Sequence, residues 1–308
     1  MIVTLAGGVG AARFLEGLAR VVPPASMTVI VNTGDDIDLY GLHISPDLDT
    51  VMYTLAGLSH PGQGWGIQGD SFHLLEMLKR YGHATWFMLG DRDLATHLHR
   101  TLLLREGKTL SEVSEQIRRA LGLEARMLPM SDDRVTTRIL TPGGSLHFQE
   151  YLVQRHASDD VEGVHFDGIG QALPAPGVLA ALREAEVIIL APSNPIVSIG
   201  TILGVPGVRM ALRETKARVV AISPIVGGVP IKGPADKLMS GMGLEVSAVG
   251  VADCYRDFLD VLIIDQVDAA LAPTIEAKGC RVVVMDTIMR GLPEKEALAR
   301  AALAAGRA

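Results

Sequence analysis

Apolar and polar positions follow two regimes along this chain. Short, unbroken apolar runs stand at Ile2–Leu5, Met27–Val31, Val187–Leu190, Val219–Ile222, Val261–Ile264 and Arg281–Met285. Their length suits strands, and their continuity predicts burial on both faces, as in a parallel sheet. Helical patterns lie between them. Ala11–Val21 follows the first run, and Pro206–Glu214 begins with a proline, which a first helical turn tolerates. Thr109–Leu121 opens with Thr109 and Glu112 at the spacing of a capping box. The β-α-β order recurs near both ends and predicts an α/β fold: a Rossmann-like, doubly wound, mostly parallel sheet.

The middle of the chain reads differently. Ser71–Tyr81, Asp93–Arg105 and Thr109–Leu121 predict three helices with no clear strand between them. They form a mainly helical insertion, about residues 60–130, embedded in a single Rossmann-like domain of 308 residues. Arg134–Thr141 and Ser145–Arg155, joined by Pro142-Gly143-Gly144, predict a β-hairpin. Ala157–Pro176 reads as an irregular surface connection.

Composition narrows the chemistry. Hydrophobic residues make up 48% and aromatic ones only 4%, so the core must be built mainly from Leu, Val, Ile and Ala. A net charge of -7 argues against a general nucleic-acid binder. An anionic substrate would be held by local features: backbone amides, a few Arg or Lys residues, or a metal ion. Two cysteines, Cys254 and Cys280, are too few for a disulfide framework or a zinc cage. The longest tempting apolar stretch, VIILAPSNPIV, is broken by Pro192 to Pro195, so no membrane span is expected. The first residues read as a strand rather than a leader, and a cytoplasmic protein is expected.

Five segments carry candidate chemistry. Gly7, Gly8 and Gly10 lie between the first strand and helix, followed by Arg13. Glycines let a backbone approach an anion, and a helix N-terminus presents free N–H groups to it. Arg13 takes the place of a third fingerprint glycine, and no Gly-Lys-Ser/Thr follows, so neither a dinucleotide fingerprint nor a Walker loop is complete. Asp35 and Asp36 follow the second strand, as ligand groups or as turn residues. Asp47 and Asp49 in SPDLDT offer helix capping, a hard-cation site or general-base work. Asp70 and the run Asp91-Arg92-Asp93 begin helices. All eight aspartates of the first hundred residues lie in or beside these motifs, which favours one shared metal or hydroxyl site over scattered caps. In the second half, Ser193 and Asn194, then Ser223, Gly227 and Gly228, then Lys232 supply donors in loops that follow strands.

Seven segments, in order, resemble the 2-phospho-L-lactate transferase family: AGGVGAARFLEGL, NTGDD, GLHISPDLDTVMY, WGIQGDSF, LGDRDLATH, LAPSNPIVSIGTIL and ISPIVGGVPIKGPA. The match runs from Met1 to about Gly250. The resemblance implies a homodimer and a Mg2+-dependent reaction of lactyl- or enolpyruvyl-diphosphoguanosine with the deazaflavin Fo. The products are a coenzyme F-420 precursor and GMP. It further implies that Asp49 and Arg92, with neighbouring Asp91, contact Fo. Asp49 is the expected catalytic residue, and Asp47 and Asp49 are the expected metal ligands. The Gly-rich turn with Arg13, together with Ser193, Asn194, Ser223, Gly227, Gly228 and Lys232, is expected to hold the guanosine diphosphate. The rival readings are a non-catalytic nucleotide-sugar-binding regulator and a nicotinamide-dependent oxidoreductase. The complete SPDLDT and GDRD segments weigh against the first, and the missing third glycine against the second.

Overall fold

A computed structural model describes residues 1–60 and 62–308. The chain begins with β1 (Ile2–Ala6), α1 (Gly8–Val21) and β2 (Met27–Val31). A small antiparallel ribbon, β3 (Ile37–Leu39) and β4 (Leu42–Ile44), leads into helices α2 (Pro46–Leu55), α3 (His73–Arg80), α4 (Asp93–Arg105) and α5 (Leu110–Ala120). Then come β5 (Arg126–Pro129), β6 (Thr136–Thr141), β7 (Gly144–His147) and β8 (Gly163–Asp167). The second half continues with α6 (Val178–Glu184), β9 (Val187–Leu190), α7 (Ile199–Gly204), α8 (Val208–Glu214) and β10 (Arg218–Ile222). A short pair, β11 (Ile225–Val226) and β12 (Val229–Pro230), precedes α9 (Ala235–Gly241), α10 (Ala248–Tyr255), β13 (Val261–Asp265), α11 (Ala272–Glu276), β14 (Arg281–Met285) and α12 (Leu292–Arg307).

Seven strands form one sheet in the order β14-β13-β10-β9-β1-β2-β5, and every pairing is parallel. The predicted doubly wound sheet is therefore present. Its direction of winding reverses between β1 and β9, which makes that junction the topological switch point. Side chains alternate across the sheet, as a period of two requires. From β1, Val3 and Leu5 enter one core with α6, α7, α8 and α10. Ile2 and Ala6 enter the other with α1, α2, α5 and α12. Burial on both faces is why these strands read as unbroken apolar runs rather than alternating ones.

Three readings of the sequence are corrected. The strand β5 was not predicted: its four residues, RMLP, end in a proline and carry too short an apolar run to stand out. It pairs with β2 at the sheet edge, where a proline costs little ladder bonding. The expected hairpin exists, but its second strand stops at His147, and a π-helical segment covers Glu150–Gln154. The expected irregular connection contains β8, which pairs with β6 and makes the hairpin a three-stranded sheet. The capping box at Thr109 and Glu112 forms as read. Among the described residues, no helix is long and apolar enough to cross a membrane.

Candidate active site

A cavity of about 690 Å³ lies along the carboxyl ends of the parallel strands. Its walls come from the turns after β1, β2, β9, β10 and β14, and from α2 and α4. A parallel sheet brings these distant segments together because all its strands end on one edge.

The turn after β1 meets the turn after β9 at the switch point. Ser193 Oγ donates to the Gly7 carbonyl at 2.9 Å and accepts from the Gly7 amide at 3.3 Å. A Cβ on Gly7 would come within 2.7 Å of Ser198 Cβ and 2.8 Å of Asp47 Oδ2. A Cβ on Gly10 would run into the Pro192 carbonyl. The glycines thus permit close backbone approach, the use glycine serves best. Arg13 and Lys232 line this end of the cavity. Burial, then the nearby charge of Arg13, lowers the Lys232 ammonium below its usual range. Lys232 donates to the Gln63 carbonyl at 2.9 Å. Asn194 accepts from the Ile196 and Val197 amides, and Ser223 folds back on Ile225, so both shape their own turns while lining the cavity. Gly227 and Gly228 lie outside the cavity lining, and the Gly227 amide is taken by Asp268.

The eight N-terminal aspartates do not form the one shared cluster expected. They separate into groups with different partners. Asp35 and Asp47 flank Asn32, whose Nδ2 donates to both carboxylates at 3.0 Å. Burial raises the Asp47 carboxyl to about 7, against the Asn32 hydrogen bond. Burial, then the charge of Asp47, raises Asp35 well above the carboxylate range. Asp35 Oδ1 is buried with no hydrogen-bond partner. Asp36 instead accepts from Ser45 Oγ at 2.6 Å and meets His43 Nε2 at 3.0 Å. Behind this turn, Gln149 Nε2 donates to the Asp35 carbonyl at 3.4 Å, and His147 Nε2 lies 3.1 Å from the Asp36 carbonyl.

Asp49 belongs to a second group. Both of its oxygens are engaged by the guanidinium of Arg100, one at 3.0 Å and the other closer. His97 Nδ1 lies 3.6 Å from Asp49, and His97 Nε2 lies 3.2 Å from Asp93 Oδ1. Tyr53 donates to that same Asp93 oxygen at 2.8 Å. Asp47 and Asp49 sit in the first turn of α2, and neither carboxylate caps it. The expected shared metal pair is thereby divided: Asp47 turns to the Gly-rich turn and Asp49 to Arg100. Trp65, Trp86 and Phe87 line the cavity as well.

A third group is spent on helix starts. Asp70 accepts from the backbone amides of Arg92 and Asp93, and Asp91 accepts from those of His73 and Leu74 and from Ser71 Oγ. The Ser71 hydrogen bond, then that of Leu74, lowers the Asp91 carboxyl. Asp91 and Arg92 lie outside the cavity lining, with Arg92 exposed and its Nη1 3.4 Å from the Gln68 carbonyl.

Sequence reading missed Tyr53, Asp93, His97 and Arg100 as one constellation. A signal was present: Asp93, His97 and Arg100 are spaced four and three apart, and Asp49 and Tyr53 four apart, so each set shares a helical face.

Comparison with known proteins agrees with this architecture. The family model 2-phospho-L-lactate transferase CofD matches residues 2–302. A phosphoenolpyruvate transferase of Streptomyces avermitilis is 48% identical, covering 98% of this chain and 97% of that protein. A 2-phospho-L-lactate transferase of Methanosarcina mazei is 41% identical, covering 97% and 98%. A solved member of the UPF0052 family from Bacillus halodurans superposes with a TM-score of 0.65 over 98% of each chain, at 17% identity, a likeness of fold alone.

Proposed function

This chain belongs to the 2-phospho-L-lactate transferase family, and from that premise we propose that it transfers a phosphorylated three-carbon acid from a diphosphoguanosine donor to the deazaflavin Fo, releasing GMP. The enolpyruvyl donor is favoured over the lactyl one. The phosphoenolpyruvate transferases among its relatives reach 48–49% identity, and the 2-phospho-L-lactate transferases 40–42%. The structural observation that carries the reading is one cavity joining a Gly-rich, cationic end to an acidic end flanked by aromatic side chains.

The chemistry suits these residues. The Fo hydroxyl oxygen forms a bond to the phosphorus nearest the three-carbon acid. The bond from that phosphorus to the bridging diphosphate oxygen breaks, GMP takes the electron pair, and the hydroxyl proton passes to solvent by way of Asp49. Phosphoryl transfer of this kind demands in-line positioning and charge neutralisation more than covalent work by the protein. In this reading the amides of Val9 and Gly10, at the start of α1, hold the diphosphate together with Arg13 and Lys232. Ser193 keeps that turn in position through its two bonds to Gly7. Asp49, fixed by Arg100, is an acceptor for the hydroxyl and orients it. Trp86 and Phe87 offer faces against which a flat ring can pack.

The residues also fit a divalent cation. Asp35 and Asp47 are buried carboxylates facing a neutral amide, and one oxygen of Asp35 is orphaned. Two carboxylates so placed favour either protonation or a hard cation. Asp35 and Asp47 would hold Mg2+ there, and the ion would supply neutralisation of charge on the diphosphate oxygens. Asp35 and Asp47 thus serve the metal and Asp49 the hydroxyl, and the protein works as the homodimer that the resemblance implies.

The test is incubation of purified protein with Fo, Mg2+ and each guanylylated donor in turn. GMP release that depends on Fo supports the transferase, and a faster enolpyruvyl reaction supports the donor assignment. Tight binding of both substrates without turnover overturns the reading.

A further inference from the structure

Asp49, Asp93 and His97 each offer a ligand atom within 4.8 Å of the others, and all three are buried. Two carboxylates and an imidazole make a donor set that suits divalent transition metals. The Nε2 of His97, 1% exposed, is within 3.2 Å of Asp93 yet makes no hydrogen bond. By composition this cluster rivals the Asp35–Asp47 pair as a cation site.

Arg100 separates the two. It is fully buried, and its guanidinium engages both oxygens of Asp49 and lies 3.3 Å from His97 Nδ1. Among the described residues, nothing comparable neutralises Asp35 and Asp47, whose common partner is the amide of Asn32. Asp49, Tyr53, Asp93 and His97 line the cavity, whereas Arg100 stands behind them. It therefore acts on a ligand through Asp49. Arginine suits such a place better than lysine. Its planar fork meets both carboxylate oxygens at once, and it keeps its charge when buried.

We propose that Arg100 is a positioning residue whose guanidinium takes the ground a second cation would occupy beside Asp49, Asp93 and His97, holding Asp49 as a fixed hydrogen-bond acceptor for the acceptor substrate. The consequence for the chain is a division of labour along α2. Asp47 is left open to a metal ion, and Asp49, two residues on, is closed to it. The acceptor part of this inference rests on the proposed function; the exclusion of a second cation does not.

Arg100→Met and Arg100→Lys decide it, with Co2+ as the probe, followed by absorbance and equilibrium dialysis. Arg100→Met is expected to bind one equivalent of Co2+ more than the unaltered protein, and a further His97→Asn change is expected to remove that equivalent. Arg100→Lys is expected to bind no extra equivalent. In turnover assays, Arg100→Met is expected to raise KM for Fo at least tenfold while KM for the donor stays within twofold, with partial recovery in Arg100→Lys. An unchanged Co2+ stoichiometry in Arg100→Met, or equal losses for both substrates, overturns the proposal. Should Arg100→Met fail to fold, Co2+ titration of the single His97→Asn variant still decides. Loss of an equivalent there means that the cluster itself holds metal beside Arg100 and overturns the proposal, whereas retention supports it. Absence of any Fo turnover in the unaltered protein would sink the functional reading and leave the Co2+ comparison standing.

Discussion

Asp35 and Asp47 share one neutral donor, the Asn32 amide, which lies 3.0 Å from each. With the Asp47 carboxyl raised by burial to about 7, its proton is held more tightly in the folded chain than in the unfolded one. The sign follows from linkage. As pH rises from about 4 to about 7 the unfolded chain ionises first, so the metal-free protein loses stability across that window. The loss from this group is on the order of a few kcal/mol. Denaturation of EDTA-treated protein at several pH values checks it. Asp47→Asn should flatten the slope, and an unchanged slope would remove Asp47 as its source.

Chelation should stop GMP release, and added Mg2+ should restore it. Asp35→Asn is expected to raise the Mg2+ concentration needed for half-maximal rate at least tenfold. Full activity after exhaustive dialysis against EDTA would refute the metal assignment.

Asp49→Asn should cut turnover by about a hundredfold or more, the scale of a lost proton-handling or orienting group. It should also destabilise the fold, because Arg100 is left buried without its counter-charge. Breaking a buried pair costs about 3–5 kcal/mol, which urea unfolding can read. A variant as stable as the unaltered protein would mean that the pair adds no net stability.

Arg92 is exposed, so its removal should cost only about 0–1 kcal/mol of stability. If it contacts Fo as the family resemblance implies, Arg92→Ala raises KM for Fo several-fold while GDP affinity, titrated directly, stays unchanged. An unaltered Fo dependence would confine Arg92 to the surface.

Gly10→Ala should lower GDP affinity at least tenfold and destabilise the fold by about 1–3 kcal/mol, the usual range for overpacking. The new methyl group has to displace the Pro192 loop at the switch point. Calorimetric titration with GDP checks this, and native-like affinity would show that the two turns can separate freely.

Local pattern carried the sheet and, among the helices, α1 to α5 and α8, because burial on both faces leaves unbroken apolar runs and amphipathic helices leave their own period. Six of the seven sheet strands and the capping box at Thr109 were legible in this way. So was the Gly-rich turn, since close backbone approach restricts residue type at the position itself. β5 was not, because RMLP is too short for its pattern to outweigh its proline, and only pairing with β2 makes it a strand. The aspartates divide along the same line. Their spacing marks them as polar groups at helix starts, but a carboxylate's role depends on which charge faces it. Asp47 and Asp49 are two residues apart and chemically alike in sequence. Asn32 meets one and Arg100, fifty-one residues further on, meets the other. Only the packing of α4 against the β3–β4 ribbon brings that guanidinium within reach of α2, so tertiary structure alone separates the acid that meets a neutral amide from the acid that meets a buried cation.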